Sequence, residues 1–425
     1  MSREIEVWAD WHSVEDPLLM GILRSIETRG KEVFSFEYDQ SWLEHATGIP
    51  LDPDLQFLEG PQFLDAESRP NFGIFLDSSP DRWGRMLMQR REAIRAREES
   101  RSERRLGELD YLLGVHDEQR LGALRFCATG SSCHWLSADD SMTAPPWASL
   151  RELQQASWKL QQDDPKVDAN YLKWLSLMIA PGSSLGGARP KAGVRDDAGQ
   201  LWIAKFPGRN DDRDVATWEM LAFRLAVSAG VEMAESKFEA FGKGYRTFLT
   251  KRFDRMLKAG SVRRIHFASA MTMLGYNDGD GAQVGASYLE IAEWLIRHGA
   301  NPGEDLPQLW KRIVFSIAIR NTDDHLRNHG FILTDEGWRL SPAYDINPDP
   351  DGVGLSLNIS ETDNSLSFDL VMDVAKYFRL SGSEAEAILD EVRITVSTWR
   401  AVADELQISR AEQDRMSRAF SAAPQ

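Results

Sequence analysis

The chain has 425 residues, 42% hydrophobic and 27% charged, with 14 Trp and 19 Phe. That composition suits a soluble globular protein of about two or three domains. A formal net charge of −17 repels phosphate backbones and anionic lipid, which argues against nucleic acid or membrane as the primary partner of the chain alone. Cys127 and Cys133 are too few for a disulfide scaffold or a Cys-only zinc site. Glu4, Glu6 and Asp10 interrupt any apolar leader, and no apolar run is long enough to span a bilayer, so a cytoplasmic location is expected.

In chain order, residues 1–135 read as a mixed α/β unit. Ile5 and Val7 alternate with charged neighbours, as in a half-buried strand. Ser79-Pro80-Asp81 precedes a helix with Trp83, Met86 and Leu87 at helical spacing. Arg91 to Arg105 is interrupted by Glu92, Glu98, Glu99 and Glu103, and reads as a solvated helix with charge pairs at helical spacing. Ser137 to Pro146 is the linker candidate.

A helix through Leu172, Leu175 and Ile179 then stops at Pro181-Gly182. Lys191 to Arg195 and Gln200 to Phe206 read as strands joined by Asp196-Asp197-Ala198-Gly199. Val215 to Ala229 is a helix closed by Gly230, and Gly242-Lys243-Gly244 turns a hairpin between Phe238–Ala240 and Tyr245–Thr250. Beyond residue 256 helices dominate: Leu306, Leu309, Trp310, Ile313, Val314 and Ile317 mark one apolar face. Ser383 with Glu386, and Ser409 with Glu412, are expected capping boxes. The pattern is α+β and two-lobed, divided as 1–135, 147–255 and 256–425.

Four clusters carry candidate chemistry. In Ser183-Ser184-Leu185-Gly186-Gly187-Ala188-Arg189-Pro190-Lys191, small residues let backbone N–H groups approach a phosphate, and two cations follow. A plain glycine loop is the simpler reading of that stretch alone. Lys205 shares a strand face with Leu201 and Ile203. An ammonium there needs an anion or a route to water, so nucleotide phosphates, Glu219 on the next helix, or solvent would each serve.

The third cluster, Asn321-Thr322-Asp323-Asp324-His325-Leu326-Arg327-Asn328, follows directly on the apolar helix. Phosphoryl transfer needs a carboxylate at the attacking hydroxyl and oxygen ligands for Mg²⁺, and Asp323 and Asn328 supply both. In the fourth, Ser341-Pro342-Ala343-Tyr344-Asp345-Ile346, the Asp sits between apolar neighbours and wants a cation, or else caps a turn. A glycine turn, a strand lysine, a helix glutamate, an Asp-to-Asn loop and a later Asp are the parts of a protein kinase in chain order.

Here the sequence resembles the HipA family, the kinase toxins of bacterial toxin–antitoxin pairs, over nearly its whole length. The resemblance rests on Phe34-Ser35-Phe36-Glu37-Tyr38, Ser79 to Arg85, the Ser184 to Lys191 loop, Lys205-Phe206-Pro207, Arg252-Phe253-Asp254-Arg255, Asn321 to Asn328 and Tyr344-Asp345. It implies a two-lobed protein-kinase-like fold with an N-terminal mixed α/β subdomain and a mainly helical C-terminal lobe. It implies Asp323 as catalytic base and Asn328 and Asp345 as Mg²⁺ ligands. ATP would be held by Gly186, Gly187, Ala188, Arg189, Pro190, Lys191, Lys205 (with Glu219 as ion-pair partner), His325 and Tyr344, and Lys251, Arg252 and Phe253 would form the adenine hinge.

Ser184 falls where the family carries an autophosphorylated serine, with Ser183 the adjacent alternative. The implied partners are a HipB-like DNA-binding antitoxin, through which DNA is met, and a translation-related protein substrate such as an aminoacyl-tRNA synthetase. The chain lacks G-x-G-x-x-G and His-Arg-Asp, which weakens inference about substrate. A small-molecule or lipid kinase, or a catalytically silent corepressor module, are the alternatives.

Overall fold

In the computed structural model the chain forms two units that alternate along the sequence: Met1–Arg209 with Arg252–Ala268, and Asn210–Lys251 with Ser269–Gln425. The structure describes all residues except 1, 29, 46–47, 66–68, 131–133, 141–142, 163–168, 180–188, 242–243, 259 and 422–425.

The first unit opens on an antiparallel sheet whose order across is Gln62–Phe63, Lys31–Tyr38, Leu18–Thr28, Ser2–Ala9 and Leu124–Ala128. Alternation places Ile5, Val7 and Ala9 on its buried face, as the sequence predicts. Phe36, Phe75 and Phe126 fill the same core through ring contacts of 5.8 and 6.2 Å. The helix Arg82–Glu98 starts at Asp81, whose carboxylate accepts from the Gly84 N–H at 2.8 Å. Beyond it the expected solvated helix does not continue. The chain turns at Ser100, which has φ +52, and Arg101 and the Arg104 N–H come back onto Glu92. The charges therefore pair across a turn and not along a helix.

The strands Lys191–Arg195 and Leu201–Lys205 pair antiparallel in the same unit, with Lys191 opposite Lys205. The segment Arg252–Ala268 belongs here too, and carries the hairpin Arg255–Lys258 with Ser261–Arg264.

The second unit contains the helix Val215–Ser228, the hairpin Ser236–Glu239 with Thr247–Lys251, and a set of longer helices. The helix Pro302–Ile319 is central: Leu309, Trp310, Ile313, Val314 and Ile317 are all buried. Proline at its first position and Glu304 and Asp305 in its first turn suit its N-terminus. Trp218, Trp399 and Phe420 close the C-terminal helices onto Val215–Ser228. Of the two expected capping boxes, the first is displaced. Ser381 pairs with Glu384 and starts the helix Gly382–Ser397, so Ser383 and Glu386 lie inside it. Ser409 caps Arg410–Met416 by accepting from the Glu412 N–H.

Candidate active site

The second unit brings the third and fourth sequence clusters together. The helix Pro302–Ile319 ends because Arg320 adopts φ +54, a left-handed cap that turns the chain sharply. Arg320 donates to the Gly352 carbonyl at 2.6 Å. Two further clasps tie the outgoing loop to residues 347–349. The Asn321 side-chain oxygen accepts from the Asn347 N–H at 3.1 Å, and Thr322 Oγ1 donates to Asp349 Oδ2 at 2.8 Å. Gly352 has no alternative at its position, since a Cβ would collide with the Thr322 side chain.

Asp324 anchors the loop from below. It is buried, and its Oδ2 accepts from Tyr288 Oη at 2.7 Å and Ser316 Oγ at 3.3 Å. His329 Nε2 lies 3.0 Å from its other oxygen. Burial pushes this carboxyl up, but His329, Tyr288 and His325 outweigh it and hold it below the ordinary carboxylate range. Asp324 is therefore an ionised anchor and not the reacting acid.

Asp323 faces the other way and is exposed. Its carboxyl oxygens are nevertheless partly shielded from water, and this shielding raises the pKa. His325 opposes the shift, while Asp345, Asp324 and Asp349 add to it. The result is an accessible carboxylate that holds a proton more readily than an ordinary Asp.

Asn328 completes the loop. Its Nδ2 donates to the Asp323 carbonyl at 2.9 Å, while its Oδ1 is buried and receives no hydrogen bond. A buried acceptor left so costs about 1–3 kcal/mol. It fits a position reserved for a cation.

Asp345 arrives from the next hairpin, Gly330–Thr334 with Gly337–Leu340. Ala343 is pinned by bonds to Glu232 and Ala234, and Tyr344 Oη donates to the Arg327 carbonyl at 2.8 Å. Asp345 itself has φ +55, a conformation that costs a non-glycine residue about 1–3 kcal/mol and concentrates at functional sites.

Among the described residues no three His, Cys, Asp or Glu side chains gather as a metal site. Mg²⁺ does not require one: it binds one or two carboxylates and takes its other ligands from water and substrate phosphates. An amide oxygen without a donor and a strained carboxylate fit that donor set.

The other predicted residues fall into both units. Lys205 and Glu219 are buried, the first in one unit and the second in the other. Lys191 is also buried, with its ammonium 2.6 Å from Asp81 Oδ2. Arg189 Nε donates to the Phe206 carbonyl at 3.1 Å. Ser183, Ser184, Gly186, Gly187 and Ala188 lie outside the described residues.

At the expected hinge, Lys251 pairs with Glu235 at 3.1 Å, and Phe253 packs on Phe267. Arg252 has its N–H on the Leu201 carbonyl and its guanidinium on Asp254 and the carbonyls of Gln119 and Arg120. Its side chain and its N–H are both engaged within the protein. Sequence reasoning gave Asn321 no role within its cluster and missed Asn347 and Asp349, which with it tie the two loops together. The alternation Asp345-Ile346-Asn347 was the available signal for one of them.

The HipA-like C-terminal domain family matches residues 183–399, just over half of the chain. The chain belongs to the HipA family. The Sinorhizobium fredii protein Y4mE, named as a kinase, is 30% identical over 148 residues, covering 34% of this chain and 33% of that protein. The serine/threonine-protein kinase toxin HipA of Shewanella oneidensis is 27% identical over 143 residues, 30% of this chain and 33% of the toxin. The chain thus spans about a third of the length of these curated relatives. In three dimensions the match is broader. A solved complex of HipA, HipB and operator DNA from the same Shewanella species contains a chain that aligns with a TM-score of 0.66 and 16% identity, covering 99% of this chain and 96% of that one. The α+β HipA-like fold expected from the sequence is the fold observed.

Proposed function

We propose that this HipA-family chain is an ATP-dependent protein serine/threonine kinase acting as the toxin of a toxin–antitoxin pair. The observation that carries the reading is the stranded Asn328 Oδ1 in the loop headed by Asp323, with the strained Asp345 completing the donor set. Asp323 accepts the proton of the attacking hydroxyl. Its raised pKa makes it a better base than a free Asp while its exposure leaves room for the acceptor. Asn328 and Asp345 would hold Mg²⁺, which would supply charge neutralisation for the ATP phosphates. Lys205 and the Gly186–Lys191 stretch serve the phosphates on the strength of the sequence resemblance, and Ser184 is the proposed autophosphorylation site.

The substrate is a translation-related protein, and a HipB-like antitoxin carries the chain to DNA. Its support is the neighbouring structure's HipB and operator, together with this chain's charge of −17. The test is transfer of labelled γ-phosphate from ATP to proteins of a cell extract. Label on protein Ser or Thr, lost with Asp323→Asn, is the expected result. Label confined to small molecules or lipid, or no label at all, would overturn it.

A further inference from the structure

Two carboxamide oxygens among the described residues of the second unit are buried without a hydrogen bond: those of Asn328 and Asn347. The first is accounted for above. The second is not. Asn347 follows Asp345 by two residues, and its N–H is held by Asn321 Oδ1 at 3.1 Å. Its Nδ2 donates to Asp345 Oδ1 at 3.2 Å. That bond fixes which way the amide points, because exchanging its oxygen and nitrogen would set a carbonyl against a carboxylate. The Oδ1 is therefore directed away from Asp345 Oδ1 and closed off from solvent, with no donor to meet it.

The bond to Asp345 accounts for the amide nitrogen of Asn347 but not for its buried, unpaired oxygen. An apolar side chain at this position would avoid the penalty of an unsatisfied acceptor, about 1–3 kcal/mol. The two stranded oxygens occupy the two loops that Asn321 joins, one bonded through its own amide nitrogen to the Asp323 carbonyl and the other to the Asp345 carboxylate. An amide that gives its N–H to an anchor and keeps its oxygen unpaired is arranged to present that oxygen to a cation. Mg²⁺ binds through oxygen, at about 2.0–2.1 Å in near-octahedral sites, so an amide oxygen without a donor is a suitable ligand for it.

We propose that Asn347 supplies a third protein oxygen, beside those of Asn328 and Asp345, to a divalent-cation site. It also holds the Asp345 carboxylate in its orientation. The inference rests on the kinase reading of Asn328 and Asp345 and extends it by a residue.

The experiment measures ATP affinity of the full chain by calorimetry, in EDTA and across a Mg²⁺ titration, for the wild type, Asn347→Ala, Asn347→Asp and Asp345→Asn. Loss of a supporting group around a metal costs about 10–100-fold in affinity. Asn347→Ala should raise the Mg²⁺ concentration for half-maximal ATP affinity about tenfold, with affinity in EDTA unchanged. Asn347→Asp, which keeps an oxygen and loses the donor, should retain the wild-type Mg²⁺ requirement or lower it.

Three outcomes overturn the proposal. An unchanged Mg²⁺ requirement in Asn347→Ala removes the residue from the site. An equal rise in both Asn347 variants assigns it the donor role alone. A fall in EDTA affinity as large as the fall in Mg²⁺ makes it structural. Asp345→Asn separates these from failure of the kinase reading. If it too leaves the Mg²⁺ requirement untouched, the cation site itself is misassigned. If it alone abolishes the requirement, only Asn347 is.

Discussion

Removing the Asp254 carboxylate should unfold the first unit far more readily than any exposed charge change. Asp254 is fully buried. It accepts from Arg252 Nε at 2.7 Å, from Arg255 Nη1 at 2.6 Å and from the Gly122 N–H at 2.8 Å. Around it Arg120, Arg125 and Arg264 lie close to Asp10 and Asp117, so among the described residues of this cluster cations outnumber carboxylates. Burial pushes the Asp254 pKa up, but Arg252 and Arg255 outweigh it and bring it down to about 2 from 3.8. Arg255 moves in the opposite sense to a simple ion pair, down to about 9, because its own burial and the other arginines exceed the pull of Asp254.

The carboxylate is thus the group whose loss the cluster cannot absorb. The pKa depression alone corresponds to about 2 kcal/mol. Truncating one partner of a buried pair costs about 3–5 kcal/mol, because charges are left uncompensated. The expected loss for Asp254→Ala is therefore about 3–5 kcal/mol, and Asp254→Asn, of equal size, should lose nearly as much. The depressed pKa contributes stability above pH 3.8 that disappears as pH falls through about 2. Urea unfolding of the full chain gives the magnitude. Hydrogen exchange over residues 120–128 and 252–268 shows where it acts. A loss below about 1 kcal/mol in both variants, or protection lost evenly over the chain, would refute the reasoning.

Asp323→Asn should bind Mg-ATP like the wild type and lose about 10²–10⁴ in transfer rate, measured by single-turnover kinetics. Because the Asp323 pKa is raised, the wild-type rate should fall, on acidification, at a higher pH than an ordinary Asp would dictate, and Asp323→Asn should lack that limb. The same shift means this group adds stability below the ordinary carboxylate range and loses it as pH rises through its raised pKa. Lys191→Met should be less destabilising than Asp81→Ala in thermal unfolding, since the first leaves a carboxylate with other bonds and the second a buried ammonium. Incubation with Mg-ATP should place phosphate on Ser184, and Ser184→Asp should weaken ATP binding through its added charge; phosphate found only elsewhere would end that assignment. This chain alone should not bind operator duplex tightly at physiological salt, which filter binding checks.

Local chemistry was legible where one residue decided an element. The strand pair around Asp196–Gly199, the helix Val215–Ser228 and the helix Pro302–Ile319 stand where spacing put them. The displaced cap shows the limit of that reading. Ser381-Gly382-Ser383-Glu384-Ala385-Glu386 contains two overlapping Ser-x-x-Glu patterns. Spacing ranks them equally, and the fold takes the one that makes the helix longer. The Arg91–Arg105 stretch failed for a different reason. Its pairing depends on a turn at Ser100, a residue type with no strong left-handed preference.

Long-range pairing was out of reach. Lys191 and Asp81 are 110 positions apart, and either residue alone reads as a surface charge or a ligand. The same holds at Arg252, whose motif marked it as special without saying that its partner was Asp254 and the carbonyls of a distant turn. In the loop from Asn321 to Asn328 the residue types pointed to a site because they are costly to gather without a purpose. What they could not announce was the division of labour between adjacent carboxylates. Asp323 and Asp324 differ only in which side of the loop they leave. The left-handed turn at Arg320 and the bonds from Tyr288 and Ser316 send one into the core as an ionised anchor and leave the other outward and accessible. Reversing those roles would require burying the reacting group and exposing the anchor.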